Sequence, residues 1–133
     1  MTFRRFKVGK LIRDHIPEIM RSKGILVHDR IMEHDEYIAE LKTKLLEEAE
    51  EVKQALNIEE LTEELADVLE VIQAFIKASG IPSEQIEKIR LEKRNSKGGF
   101  ERKVYGSHIE MEESHPEFAY FLNKAEKYPL APV

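Results

Sequence analysis

Hydrophobic positions recur every three or four residues along two neighbouring segments of the chain. The first segment runs from His34 or Asp35 to about Leu56, and the second from about Ile58 to Ser79. This spacing places the apolar side chains on one face of a helix in each segment. Because the break at Asn57 is so short, the pattern predicts two long antiparallel helices that pack side by side. The periodic apolar positions of the first segment are Ile38, Leu41, Leu45, Ala49, Val52 and Leu56.

Shorter helices are predicted on both sides of this pair. Asp14 is a suitable N-terminal cap for a first helix, which has Pro17 in its first turn and ends at Gly24. Ser83 is a suitable cap for a fourth helix, and a last helix is predicted to begin near Ser114. Together with the long pair, these helices indicate an all-α protein.

Two runs, 25–32 and 100–105, are too short or too weakly patterned for helices and are predicted to be short extended segments. The predicted fold is therefore an all-α, antiparallel helical bundle with these two extended pieces. The length fits a single domain over 1–133, with a C-terminal helical extension over 107–133.

Both long helices carry the same acidic pattern, sixteen residues apart. Leu45–Val52 and Leu61–Val68 align as a leucine, paired glutamates, a carboxylate three positions further on and a valine. With about 100° per residue, these carboxylates lie inside or beside the apolar arc of their helices. Carboxylates are almost never buried without a partner, so a shared cation is expected where the helices face each other. The four carboxylates are Glu48, Glu51, Glu64 and Asp67.

Four hard oxygen ligands suit Mg²⁺ or Mn²⁺ far better than Zn²⁺. The alternative is a solvated acidic face, which is the ordinary role of glutamates on helices. Glu47 is a candidate to orient or deprotonate an attacking water, although a solvated position explains it equally well. Glu47 and Glu48 are the candidate catalytic acids.

Basic residues flank the acidic centre in the ranges 4–13 and 88–103. A metal cluster beside basic side chains suits a phosphate substrate, because the metal and the cations neutralise different phosphate oxygens. A basic helix end is also favoured by the helix dipole, which explains the later group equally well. The candidates for binding substrate phosphates are Lys10, Arg13, Lys93, Arg94 and Lys97.

Composition narrows the classes of partner. With 21 basic and 26 acidic residues the net charge is −5, which argues against nonspecific binding of nucleic acid polymers or membranes. The lack of cysteine excludes disulfides, thiolate metal sites and cysteine nucleophiles. No apolar run of ~20 residues and no secretion signal are present, so the expected location is the cytoplasm.

The motif Glu47-Glu48-x-x-Glu51, a gap of twelve residues, and Glu64-x-x-Asp67 resembles the signature of the all-α nucleoside triphosphate pyrophosphohydrolase superfamily. This superfamily includes MazG proteins, dimeric dUTPases and phosphoribosyl-ATP pyrophosphohydrolases. The stretches Lys10 to Pro17 and Lys93 to Phe100 resemble its small single-domain members, which are similar to the phosphoribosyl-ATP enzymes. The resemblance covers a core of about 8–105.

The resemblance implies Mg²⁺-dependent cleavage between the α and β phosphates of a nucleotide, with Mn²⁺ as an alternative metal. The products would be a monophosphate and pyrophosphate, and the role would be housekeeping removal of noncanonical or excess nucleotides. It also implies metal ligation by Glu48, Glu51, Glu64 and Asp67, and a homodimer or homotetramer whose subunits complete each other's pocket. A non-enzymatic acidic interaction module and a nucleotide sensor are the alternatives.

Overall fold

The computed structural model describes residues 2–132. Met1 and Val133, the outermost residues of the predicted domain and its C-terminal extension, lie outside this range. Within it no strand occurs, so the predicted all-α class is confirmed. The helices of this range are α1 (Ile16–Ser22), α2 (His34–Gln54), α3 (Ile58–Ser79), α4 (Ser83–Lys97) and α5 (Phe118–Asn123).

The chain divides into two compact units, Met1–Leu91 and Glu92–Val133, with the boundary inside α4. The first unit contains α1, α2, α3 and the start of α4. In the second unit, the ring of Phe121 packs edge-on against Tyr120 and Tyr128, with centroid distances of 5.2 Å and 5.0 Å. The single domain over 1–133 stays a prediction.

The packed pair of the first unit is α2 and α3. Asn57 caps α3, because its side-chain oxygen accepts a hydrogen bond from the Glu60 N–H at 2.8 Å. The Glu60 carboxylate in turn accepts from the Leu56 N–H at 2.9 Å. Such reciprocal bonds satisfy donors that a helix start leaves free, so they fix the short connection between the antiparallel helices.

The bounds of the long helices follow their sequence signals. α3 spans Ile58–Ser79 as predicted, and it ends at Gly80, whose φ of 70° lies in the left-handed region that glycine favours. α2 begins at His34 and ends at Gln54, two residues before the predicted end. α4 begins at Ser83.

Apolar burial within the first unit is shallow. Among residues 2–132, the buried apolar side chains are Leu41 of α2, Val71 of α3 and Pro17 of α1. Leu65 and Leu69 of α3 are 47% and 61% exposed, and Leu56 is 88% exposed beyond the end of α2. The apolar faces of the two long helices are therefore only partly covered within one chain.

The two segments predicted as extended form no strand. In the range 25–32 the chain is irregular, and the Arg21 guanidinium donates to the Val27 carbonyl oxygen at 3.0 Å. The segment 100–105 begins with a turn in which the Lys103 N–H donates to the Phe100 carbonyl at 3.1 Å. β-branched residues favour strands only where a neighbouring strand is available for pairing, and residues 2–132 contain none.

Two helix starts differ from the predictions. α1 is preceded by His15 at the N-cap position rather than Asp14, and His15 makes no side-chain capping bond. α5 begins at Phe118 rather than near Ser114, because the residues before it form turns. Helix covers only Phe118–Asn123 within the described part of the predicted helical extension. None of the helices in residues 2–132 has the length and apolar character needed to cross a membrane.

Candidate metal centre

Four carboxylates meet between α2 and α3. Glu48 and Glu51 come from α2, and Glu64 and Asp67 come from α3; one oxygen of each lies within 4.8 Å of the others. Residues three apart share a helix face, and the short connection turns the two faces toward each other. The structure therefore brings together the four side chains that the repeated acidic pattern singles out.

Glu48 is the most enclosed member of this cluster, with 6% of its surface exposed. Its Oε1 lies 3.4 Å from the Lys44 Nζ, while its Oε2 has no hydrogen-bond partner among the described residues. The same is true of the Glu64 Oε2. Burial raises the pKa of Glu48, and the neighbouring Glu51 raises it further. Buried carboxylate oxygens without a donor destabilise a fold, so this donor set fits a hard divalent cation.

Glu47 lies beside the cluster and is held by two lysines. Its Oε1 accepts from the Lys10 Nζ at 2.6 Å, and its Oε2 lies 3.5 Å from the Lys44 Nζ. The hydrogen bond from Lys10 is the main reason why the pKa of Glu47 is lowered, and the same bond raises the pKa of Lys10. A lowered pKa makes a carboxylate a weaker proton acceptor. The role of Glu47 toward water stays a prediction.

Lys44 was not singled out from the sequence. It precedes Glu47 by three residues and Glu48 by four, and on a helix such neighbours lie on the same side. This spacing is the signal that identifies Lys44 as a counter-charge for both glutamates.

Arg13 also faces the cluster. One of its guanidinium nitrogens donates to the Asp67 Oδ1 at 2.7 Å. Lys10 and Arg13 are both predicted to bind phosphates. In the structure they form ion pairs with acidic residues of the α2–α3 hairpin, the two long helices and their short connection. Because 54 residues separate Arg13 from Asp67, helical spacing gave no signal of this pair.

The remaining phosphate candidates lie at the exposed end of α4, in the second unit. Arg94 pairs with Glu101 at 2.8 Å, and this hydrogen bond lowers the pKa of Glu101. The Gly98 N–H donates to the Arg94 carbonyl at 2.8 Å, and the φ of 84° at Gly98 lets the chain turn there. Phosphate binding by Lys93, Arg94 and Lys97 stays a prediction.

An open cavity of about 170 Å³ adjoins the cluster, near the connection between α2 and α3. Glu51 and Glu64 line it together with Gln54, Ala55 and Glu60. Solvent therefore has access to two of the four carboxylates from this side. No motif indicated Gln54 or Glu60, and both lie on exposed parts of their helices.

A protein-family model described as phosphoribosyl-ATP pyrophosphohydrolase matches residues 26–95, which is more than half of the chain. The chain belongs to this family. The matched range includes α2, α3 and all four carboxylates, and the family supports a pyrophosphohydrolase activity. No curated protein and no solved structure matched the chain significantly.

Proposed function

We propose that this member of the family is a Mg²⁺-dependent nucleotide pyrophosphohydrolase that cleaves the α–β phosphate bond of a nucleoside triphosphate or a related nucleotide. The products are a nucleoside monophosphate and pyrophosphate. The observation that carries the proposal is the convergence of four carboxylate oxygens within 4.8 Å. Family membership supports the reaction class.

The donor set supports a hard cation as the cofactor. Glu48, Glu51, Glu64 and Asp67 offer only oxygen ligands, which Mg²⁺ and Mn²⁺ prefer. The buried oxygens of Glu48 and Glu64 gain a partner when a cation is bound. A divalent cation in this position supplies Lewis acidity and neutralises charge on phosphate oxygens.

The chain's own side chains then have distinct tasks. Lys10 and Arg13 hold the polyphosphate, since both already lie beside the cluster and carry charge-assisted donors. Lys93, Arg94 and Lys97 are further candidates for phosphate binding. Glu47 orients the attacking water or accepts its proton, which requires that Lys10 leaves it.

A homodimer or homotetramer is part of the proposal. A domain of this length normally buries well over half of the surface that its unfolded chain exposes. Here α2 and α3 leave apolar side chains such as Leu46, Leu65 and Leu69 exposed. Association of several chains would cover these faces and complete the pocket. The cytoplasmic location stays a prediction from the sequence.

The test is pyrophosphate release from a panel of nucleoside triphosphates and phosphoribosyl-ATP, with and without Mg²⁺. Glu64→Gln and Asp67→Asn keep the shape of each side chain and remove its charge. Both variants are expected to lose activity, while Glu63→Gln, an exposed neighbour on α3, retains it. Activity that survives both changes would refute the proposal.

Two measurements distinguish the proposed enzyme from a nucleotide sensor and from a non-enzymatic interaction module. Binding of a nucleotide that is never hydrolysed would indicate a sensor. A non-enzymatic interaction module would show no stoichiometric uptake of Mg²⁺ or Mn²⁺ in a calorimetric titration. Either result would replace the enzyme assignment.

A further inference from the structure

The segment before α1 holds two cations against the α2–α3 hairpin. The chain turns at Gly9, whose φ is 57°, and then runs without regular structure to α1. Lys10 and Arg13 are exposed, whereas Leu11 and Ile12 between them are half-buried. The apolar pair is therefore partly covered, while its basic neighbours stay accessible.

The two cations contact different helices. Lys10 binds Glu47 of α2 at 2.6 Å, and Arg13 binds Asp67 of α3 at 2.7 Å. Lys44 adds a third positive charge on the α2 side, 3.4 Å from Glu48. A cluster of like charges is thus partly neutralised by basic side chains of the same chain.

A divalent cation bound to Asp67 would compete with Arg13. The guanidinium occupies the Oδ1 of a candidate metal ligand, and a cation bound to the same carboxylate would repel it at short range. The pair is partly exposed, with 57% of the Arg13 side chain and 37% of the Asp67 side chain accessible. Exposed ion pairs contribute little to stability, so this pair can be broken at low cost.

A polyphosphate offers the displaced side chains new partners. The planar fork of arginine matches two phosphate oxygens at once, and lysine supplies a compact positive charge. When metal and nucleotide bind together, Arg13 and Lys10 each exchange a carboxylate for a phosphate. The metal then neutralises Asp67, and Glu47 keeps Lys44 at 3.5 Å. With metal alone, Arg13 loses its partner and gains none.

We propose that Arg13 is the resident counter-ion of Asp67, and that it transfers to the substrate's phosphates when a divalent cation is bound. Lys10 transfers from Glu47, which is not a metal ligand, when the polyphosphate arrives. This inference rests on the proposed function. Its consequence is that metal and polyphosphate favour each other's binding, because each removes a competitor of the other.

The test is calorimetric titration of the full-length protein with Mn²⁺ alone. Arg13→Gln is expected to bind Mn²⁺ about two- to five-fold more tightly than wild type, the size that loss of a partly exposed ion pair allows. Arg5→Gln is the matched control, since it removes the same charge from an exposed position of the same segment. Arg13→Lys, which keeps the charge, is expected to stay closer to wild type.

The second measurement is binding of α,β-methylene ATP in excess Mg²⁺. Arg13→Gln and Lys10→Gln are both expected to weaken it, whereas Arg5→Gln is not. The opposite signs for Arg13→Gln, tighter metal and weaker nucleotide, are not expected from a residue with a merely structural role.

Failure of the inference is distinguishable from failure of the proposed function. If Arg13→Gln binds Mn²⁺ no more tightly than Arg5→Gln while Asp67→Asn abolishes binding, the metal site stands and the counter-ion exchange is refuted. If neither wild type nor Arg13→Gln takes up Mn²⁺, both proposals fail. Unchanged nucleotide binding in Arg13→Gln would also overturn the exchange.

Discussion

Replacing Glu48 by glutamine is expected to stabilise the chain when divalent cations are absent. The substitution keeps the shape of the side chain and removes one negative charge from the cluster. It also supplies N–H donors in place of an oxygen that has no partner among the described residues. In the presence of Mg²⁺ the wild type is expected to be the more stable protein, because the variant lacks one of the proposed metal ligands.

The size of the effect follows from the distances. Two unit charges 4.8 Å apart repel each other by about 0.9 kcal/mol at the dielectric constant of water and about 3.5 kcal/mol at an effective value of ~20. Glu48 has three such neighbours, whose repulsion is partly offset by Lys44 and Arg13. A net gain of about 1–3 kcal/mol is therefore expected for the metal-free variant.

The assay is urea unfolding of wild type and Glu48→Gln at one protein concentration, in EDTA and in excess Mg²⁺. Wild type is expected to gain about 2.7 kcal/mol at a metal concentration of 100 times Kd, and the variant much less. Glu63→Gln controls for the loss of one charge at an exposed position of the hairpin. The reasoning is refuted if Glu48→Gln is less stable than wild type in EDTA, or if both proteins gain equally from Mg²⁺.

Three further predictions concern the scaffold. Asn57→Ala removes the cap of α3 and is expected to cost about 1 kcal/mol in urea unfolding, whereas an unchanged midpoint would contradict the capping role. Leu41→Ala, at a fully buried position, is expected to cost about 2–5 kcal/mol, and a loss below that range would indicate little packing there. Arg30 donates two hydrogen bonds to Glu36 and lowers its pKa, so Arg30→Gln is expected to return this pKa toward 4.5 in an NMR titration. The pKa of Glu36 is lower in the folded protein, so the pair stabilises the protein at pH values above the ordinary pKa of glutamate. This stabilisation is lost as the pH falls through the lowered pKa. An unchanged pKa of Glu36 in the variant would contradict the role of Arg30.

Local signals predicted the centre of the fold well. The hydrophobic spacing, Asn57 and Gly80 gave the bounds of α3, because caps and periodicity are properties of a few neighbouring residues. The sixteen-residue repeat predicted the meeting of four carboxylates, since a short connection leaves two long helices no arrangement other than antiparallel packing.

Features that depend on distant partners were harder to predict. Nothing local indicated that Arg13 binds Asp67, because the pair joins an irregular segment to the middle of α3. Leu65 lies on an apolar stripe yet remains about half exposed. The hydrophobic pattern predicts that such a stripe is packed, but not whether it packs against the same chain or another one. The run 25–32 has the composition of a strand, but the rest of residues 2–132 offers no strand to pair with.

The most direct test of the proposed metal centre is anomalous scattering from crystals grown with Mn²⁺. The expected result is a peak between α2 and α3, at coordination distance from at least three of Glu48, Glu51, Glu64 and Asp67. Peaks confined to other parts of the surface, with none among these four carboxylates, would contradict the account.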